Sequence, residues 1–138
     1  MKENRHYLGK EGYALMGAAF EVYTEQGHGM GEEIYQESLE IELALQKIPY
    51  TAKGELDLVY KGFPLKKKYI PDLLVYNEII CELKPVKALL PEHEAQLLNY
   101  MRITRKAVGY LLNFGTPKEM EWKRFILKEF IPERGGTA

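Results

Sequence analysis

The sequence predicts an α/β sandwich: a mixed four-stranded core sheet flanked by helices, with an extra helix at the N-terminus. Three observations predict it. Apolar residues recur at helical spacing through the first third of the chain, then switch to alternation near Glu55. Helical spacing returns at Pro91. A continuous apolar run, Ala107 to Phe114, closes the pattern as a buried strand reached by a crossover, which makes the sheet mixed.

The elements follow in order. Leu15, Ala18, Ala19 and Val22 place a first helix between Glu11 and Glu25, and the glycines of GHGMG, 27–31, stop it. A second helix runs from about Gly31 to Lys47. At about 100° per residue, Ile34, Tyr35, Leu39, Ile41, Leu43 and Leu45 form one wide apolar arc, with Glu33, Glu37 and Glu40 opposite. Pro49 and Tyr50 begin extended chain. Leu56, Leu58 and Tyr60 then alternate with Glu55, Asp57 and Val59, and Lys61-Gly62 is a turn signal. A second strand covers Leu65 to Tyr76, Asn77-Glu78 turns the chain, and a third strand runs from Ile79 to Lys84, where Pro85 helps end it. Pro91 suits the first position of a helix that reaches about Thr104. After the buried run 107–114, WKRFIL around Trp122 adds an edge strand. No repeat, biased tract or linker divides residues 1–138, so they read as one domain, with 1–6 and 132–138 frayed.

Composition narrows the classes. Apolar residues make up 46% and charged residues 28%, ordinary for a soluble globular chain. A net charge of -1 and a pI near 6.3 exclude a protein that coats nucleic acid by bulk charge, and leave room for a local basic groove. A single cysteine excludes an internal disulfide and a cysteine-based zinc site. Cys81 lies in an apolar run and reads as a small buried hydrophobe. MKENRHYLGKEG has no apolar signal core, and no stretch approaches the roughly 20 apolar residues of a bilayer span. The expected location is the cytoplasm.

The chemistry is expected where charge interrupts apolar pattern. Side chains two apart on a strand share a face, so Ile80, Glu82 and Lys84 point one way and Cys81 and Leu83 the other. Two charges at the end of such a strand are either a solvated ion pair or functional. In a hairpin turning at Asn77-Glu78, Asp72 falls near Cys81 and Glu82, bringing two carboxylates and a lysine to one sheet edge. Close carboxylates repel unless a divalent cation bridges them. Glu32 falls inside the apolar arc of the second helix, so it is either a dipole-favoured helix start or a third inward carboxylate. Glu42 shares the arc, with a hydrogen-bonded supporting role as one reading. His93, Gln96 and Tyr100 share a face of the third helix. Glu55 and Asp57 form a competing acidic pair that alternation assigns to an outward strand face.

Several stretches together resemble a known family. Gly29-Met30-Gly31-Glu32-Glu33-Ile34-Tyr35 is similar to the signature of the GxxExxY proteins, part of the PD-(D/E)XK nuclease-like superfamily. Pro71-Asp72 with Glu82-Leu83-Lys84 resembles its PD…ExK pattern. His93 to Tyr100, HEAQLLNY, and Leu112 to Gly115, LNFG, resemble two further segments. Leu90 departs from the Thr or Ser expected before Pro91. The resemblance spans about Tyr13 to Ile126 and implies a restriction-endonuclease-like fold. It implies an active site of Glu32, Asp72, Glu82 and Lys84, supported by Gln96, Tyr100 and His93.

The expected activity is a metal-dependent nuclease acting on DNA, or on RNA. Asp72, Glu82 and Glu32 would bind Mg²⁺, with Mn²⁺ able to substitute. Lys84 would orient water or stabilise phosphate oxygens. Lys66, Lys67, Lys68, Lys87, Arg102, Arg105 and Lys106 are candidate phosphate contacts. The alternatives are a catalytically silent nucleic-acid-binding module and a protein-interaction or homo-oligomeric module with the first helix as its interface; a homodimer is a candidate partner state.

Overall fold

The computed structural model describes residues 6–133. The expectation of frayed ends falls mostly on residues 1–5 and 134–138, outside the described residues. The chain forms α1 (Gly9–Gln26), α2 (Glu32–Leu45), β1 (Tyr50–Ala52), β2 (Leu56–Tyr60), β3 (Phe63–Tyr69), β4 (Leu73–Val75), β5 (Ile79–Lys84), α3 (Pro91–Thr104), β6 (Val108–Asn113) and β7 (Glu121–Ile126), followed by a single 3₁₀ turn, Lys128–Phe130.

Five strands make one mixed sheet in the order β1-β4-β5-β6-β7. Strand β5 runs parallel to β6 through the α3 crossover, and the other neighbours are antiparallel. The α/β sandwich is therefore as expected, with one more strand in the sheet than the four predicted. A correction concerns the predicted strand Leu65–Tyr76, which is two strands in two sheets. Pro71 has no N–H to donate and interrupts the ladder. Before the break, β3 pairs with β2 in a separate two-stranded hairpin. After it, β4 pairs with β1 and β5. The turn before β5 also sits one residue earlier than predicted. Tyr76 and Asn77 both have positive φ, at 55° and 62°, and Glu78 N–H donates to Val75 O at 3.1 Å. Two consecutive positive φ angles, here within the three-residue connection Tyr76–Glu78, match the twist of the strands they join.

The alternation of β5 divides the core as predicted. Cys81 and Leu83 pack with Leu15, Ala19, Leu39 and Leu43 under α1 and α2. Ile80 packs with Leu97 and Met101 of α3 and with Leu58 and Tyr69 of the hairpin. Ile80, Leu83, Leu97 and Met101 are almost wholly buried, and burial of each such side chain contributes about 1.5–3 kcal/mol. Cys81 is fully buried, and burial pushes its thiol pKa well up, which fits an inert packing group. The arc of α2 is narrower than predicted: Ile34, Ile41 and Leu45 are exposed, while Gln36 is buried with Tyr35, Leu39 and Leu43. Among the described residues, no helix is long and apolar enough to cross a membrane.

Candidate active site

Strands β4 and β5 set the central pair. Leu73 faces Cys81 across the ladder, so Asp72, one step earlier, meets Glu82. The backbone N–H of Asp72 donates to Glu82 Oε1 at 3.2 Å, and Leu83 N–H donates to Asp72 Oδ2 at 2.8 Å. Each carboxylate is thereby fixed by the other's strand. Asp72 is 8% exposed, a deep position for a charge.

Glu32 enters from the other side of the sheet at the first position of α2. The preceding loop needs Gly29, at φ 97°, in the left-handed region. Tyr35 staples that loop: its hydroxyl donates to Gly27 O at 2.7 Å and accepts from Met30 N–H at 3.1 Å, while its ring stacks on Phe114 at 4.6 Å. The tyrosine of the GxxExxY stretch thus positions the glutamate three residues before it. Glu32 lies close enough to Asp72 to share a hydrogen bond when one of them is protonated.

Lys84 ends β5, and Asn113 stands opposite it on β6. Phe114 N–H donates to Lys84 O at 2.8 Å. The fully buried Asn113 accepts from Val86 N–H at 3.0 Å and from Gly115 N–H at 2.9 Å, and donates to Glu121 Oε1 at 2.9 Å. A Cβ on Gly115 would lie 2.3 Å from the Val86 carbonyl oxygen, so only glycine fits there. The LNFG stretch is therefore a clamp on the chain leaving Lys84.

The sequence reading missed the contacts that four residues make around the site. Lys53 Nζ lies 2.7 Å from Asp72 Oδ1, and Lys53 N–H donates to Asp72 O at 3.3 Å. Tyr69 donates its hydroxyl to Glu82 Oε2. Tyr100 does not reach a carboxylate; its ring stacks on Tyr69, with centroids 3.8 Å apart. Gln36, four residues beyond Glu32 on α2, donates to Asp72 O at 3.0 Å and to Glu40 Oε2 at 2.9 Å. The four-residue spacing to Glu32 was a signal for Gln36. Lys53, in the link after the three-residue β1, gave none.

The protonation pattern follows from these partners. Burial pushes Glu82 up, the Tyr69 hydrogen bond opposes that, and the Asp72 charge adds to it, giving a pKa of about 7. Burial acts on Asp72 in the same direction, but Lys53 and the Leu83 N–H outweigh it and hold Asp72 below its ordinary value. Glu32 is raised by burial and by Asp72, with Lys53 and Lys84 working against the shift. Burial and the neighbouring Glu82 charge push the Tyr69 hydroxyl far up, so it stays a donor.

Other predicted residues have other places. His93 Nδ1 accepts from Leu90 N–H at 3.0 Å at the start of α3, the half of a capping box that belongs to residue 93, while Leu90 makes no side-chain cap bond of its own. Gln96 is exposed. Glu42 accepts from Gln46 at 2.7 Å at the end of α2. Asp57 pairs with Lys68 on the outer hairpin face, as alternation suggested. Lys66, Lys67 and Lys87 are exposed. Arg102, Arg105 and Lys106 line a separate cleft of about 640 Å³ with Lys61 and Phe130, and no site carboxylate lines it.

Among the described residues, no three acidic, His or Cys side chains are arranged to hold a metal ion. Lys53 occupies Asp72 Oδ1 and Tyr69 occupies Glu82 Oε2. The donor set nevertheless suits a hard cation. Asp72 and Glu82 are linked strand to strand, Glu32 feels the Asp72 charge, a lysine ammonium already stands in as a cation on Asp72, and the buried Gln36 Oε1 has no partner among the described residues.

A mixed sheet that presents Asp and Glu-x-Lys on adjacent strands, with a glutamate from the preceding helix, defines a class. The chain matches the PD-(D/E)XK nuclease superfamily over residues 9–125 and belongs to it. A solved structure described as "Crystal structure of SSO0001" is similar, with a TM-score of 0.54, 21% identity and 76% of this chain covered. At that identity the likeness supports the fold alone. The chain spans about half the length of that protein, 52%. No curated protein matches the sequence.

Proposed function

We propose that residues 1–138 form a single domain of the GxxExxY type, acting as a divalent-metal-dependent nuclease on DNA in the cytoplasm. The observation that carries this reading is the Asp72–Glu82 pair, fixed strand to strand, with Glu32 and Lys84 beside it. Asp72, Glu82 and Glu32 would hold Mg²⁺ or Mn²⁺, whose contribution is to lower the pKa of water and offset charge on the phosphoryl group. In the hydrolysis, water oxygen bonds to phosphorus and gives up a proton to solvent, the phosphorus–oxygen ester bond breaks, and the leaving oxygen takes a proton from solvent. Lys84, held by the LNFG clamp, orients the attacking water and donates to phosphate oxygens. Tyr69 holds Glu82, and Tyr100 holds Tyr69. Lys66, Lys67 and Lys87 contact flanking phosphates.

One observation favours a second reading, a catalytically silent nucleic-acid-binding module: Asp72 and Glu82 each already have a partner, Lys53 and Tyr69. The test incubates wild type, Asp72→Asn and Lys84→Ala with linear, nicked and single-stranded DNA and with RNA, in Mg²⁺, Mn²⁺ and EDTA. The nuclease reading expects cleavage of DNA by wild type in metal only. Binding without cleavage in any metal selects the silent module, and cleavage that survives EDTA removes the metal.

A further inference from the structure

Lys53 is placed with unusual care for a surface lysine. It sits in the short link between β1 and β2 with φ 56°, a left-handed conformation that a residue with a Cβ adopts only under constraint. Its backbone N–H and its ammonium both bond the same residue, Asp72, through the carbonyl oxygen at 3.3 Å and through Oδ1 at 2.7 Å. The backbone bond continues the β1–β4 pairing, in which Ala52 faces Leu73, by one step. It therefore fixes the root of the side chain at the site. The ammonium lies within electrostatic reach of Glu32 and Glu82 as well as Asp72. Lys84 is the motif lysine, yet it is Lys53 that touches a carboxylate.

This placement solves a problem that the carboxylates create. Without a counter-charge, Asp72, Glu32 and Glu82 repel at close range. A divalent cation would remove that repulsion and so would a lysine, but the two cannot share Asp72 Oδ1 at bonding distance. The Lys53 side chain is 51% exposed, so it can swing into water without opening the core. Asp72 cannot follow it, because Oδ2 is held by Leu83 N–H inside the sheet.

We propose that Lys53 is the resident counter-ion of the site: it holds Asp72 while no divalent cation is bound, and is displaced from Oδ1 when one binds. The proposal rests on the metal-site reading above and adds a competition to it. Removing the ammonium takes away a competitor and a like charge a few ångströms from the incoming cation. In a partly screened site that interaction is large enough to change affinity by roughly tenfold or more. The metal-free protein loses the neutralising charge at the same time and becomes less stable.

The experiment measures Mn²⁺ and Mg²⁺ binding by calorimetry and thermal melting in EDTA for wild type, Lys53→Met and Lys53→Arg. Lys53→Met is expected to bind Mn²⁺ roughly tenfold tighter, to melt lower in EDTA, and to show a larger rise in Tm on adding metal. Lys53→Arg keeps the charge and should stay within about threefold of wild type. Equal or weaker metal binding by folded Lys53→Met overturns the proposal and leaves the metal site standing. No metal binding by either wild type or Lys53→Met overturns the metal site and the competition together. A variant that does not fold in EDTA is replaced by wild type followed by ¹⁵N NMR of the lysine ammonium groups: the Lys53 signal should shift and broaden as Mg²⁺ is added, and an unmoved signal overturns the proposal.

Discussion

Tyr69 lies flat on Tyr100, ring centroids 3.8 Å apart and planes within 5° of parallel, while its hydroxyl points at Glu82. The third helix thus reaches the site through one intermediate ring. Tyr100→Phe keeps the stack and should leave both melting temperature and cleavage unchanged. Tyr100→Ala removes the support of a partly buried ring; stability should fall by less than the ~3 kcal/mol of a fully buried aromatic truncation, and cleavage should fall with it. Paired thermal melts and single-turnover assays check both.

Tyr69→Phe has the opposite profile. The ring and its stack survive, so stability should fall by only about 1 kcal/mol. Glu82 loses the donor on Oε2 and is held only by the Asp72 N–H on Oε1. Cleavage is expected to fall at least tenfold, on the order of one misplaced catalytic group. A variant with wild-type turnover would show that the hydrogen bond serves only the fold.

The metal-free protein should gain stability on mild acidification. Glu82 has its pKa raised from 4.5 to about 7 in the folded chain. Between those values the folded state holds a proton that the unfolded chain has released, so stability falls as pH rises through the window. At 1.36 kcal/mol per tenfold change in proton affinity, the full effect is ~3 kcal/mol. Asp72 is lowered from 3.8, so its contribution is present above that value and is lost only as pH falls below it, outside the window. Urea melts in EDTA at about pH 5 and about pH 7.5 should show the wild type more stable at the lower pH. Glu82→Gln should flatten that difference; a pH profile shared by both proteins would assign it to another group.

Asn113→Ala should be severe although the residue touches none of Glu32, Asp72 and Glu82. It strands the N–H groups of Val86 and Gly115 around a fully buried position. Each unsatisfied buried group costs about 1–3 kcal/mol. Gly115→Ala meets backbone at 2.3 Å and should be comparable. Denaturant melts measure both, and loss of cleavage ahead of loss of fold would place the damage at Lys84.

Local pattern carried much of this architecture. Pro91 and the following period located α3, and the alternation of Ile80, Glu82 and Lys84 against Cys81 and Leu83 assigned both faces of β5. Local pattern does not state which strand pairs with which. The run Leu65–Tyr76 looks continuous because its residues suit extended chain on both sides of Pro71, yet the two halves join different sheets. Strand β1 has three residues, too few to show a period, so nothing in the pattern singled out Lys53 beyond it. It is 19 residues from Asp72 along the chain, and their bond exists only once the sheet does. Tyr69 was hidden for the same reason: its ring belongs to the hairpin and its hydroxyl to the site.

The hand-over at Pro71 has a consequence for the lifetime of the assembled site. The β2–β3 ribbon has no strand of the main sheet beside it, and an isolated two-stranded ribbon is marginal in water. It stays in place by docking Leu58 and Tyr69 onto α3 and the sheet. Sub-global opening of such a unit is cheaper than unfolding the whole chain. When the ribbon lifts, Tyr69 leaves Glu82 while Asp72, Lys84 and the entire five-stranded sheet remain folded. Amide exchange in β2 and β3 should therefore be faster than in β5 and β6. A nucleic acid lying across the ribbon would slow it, making the ribbon's own breathing the clock that decides how often the site is complete.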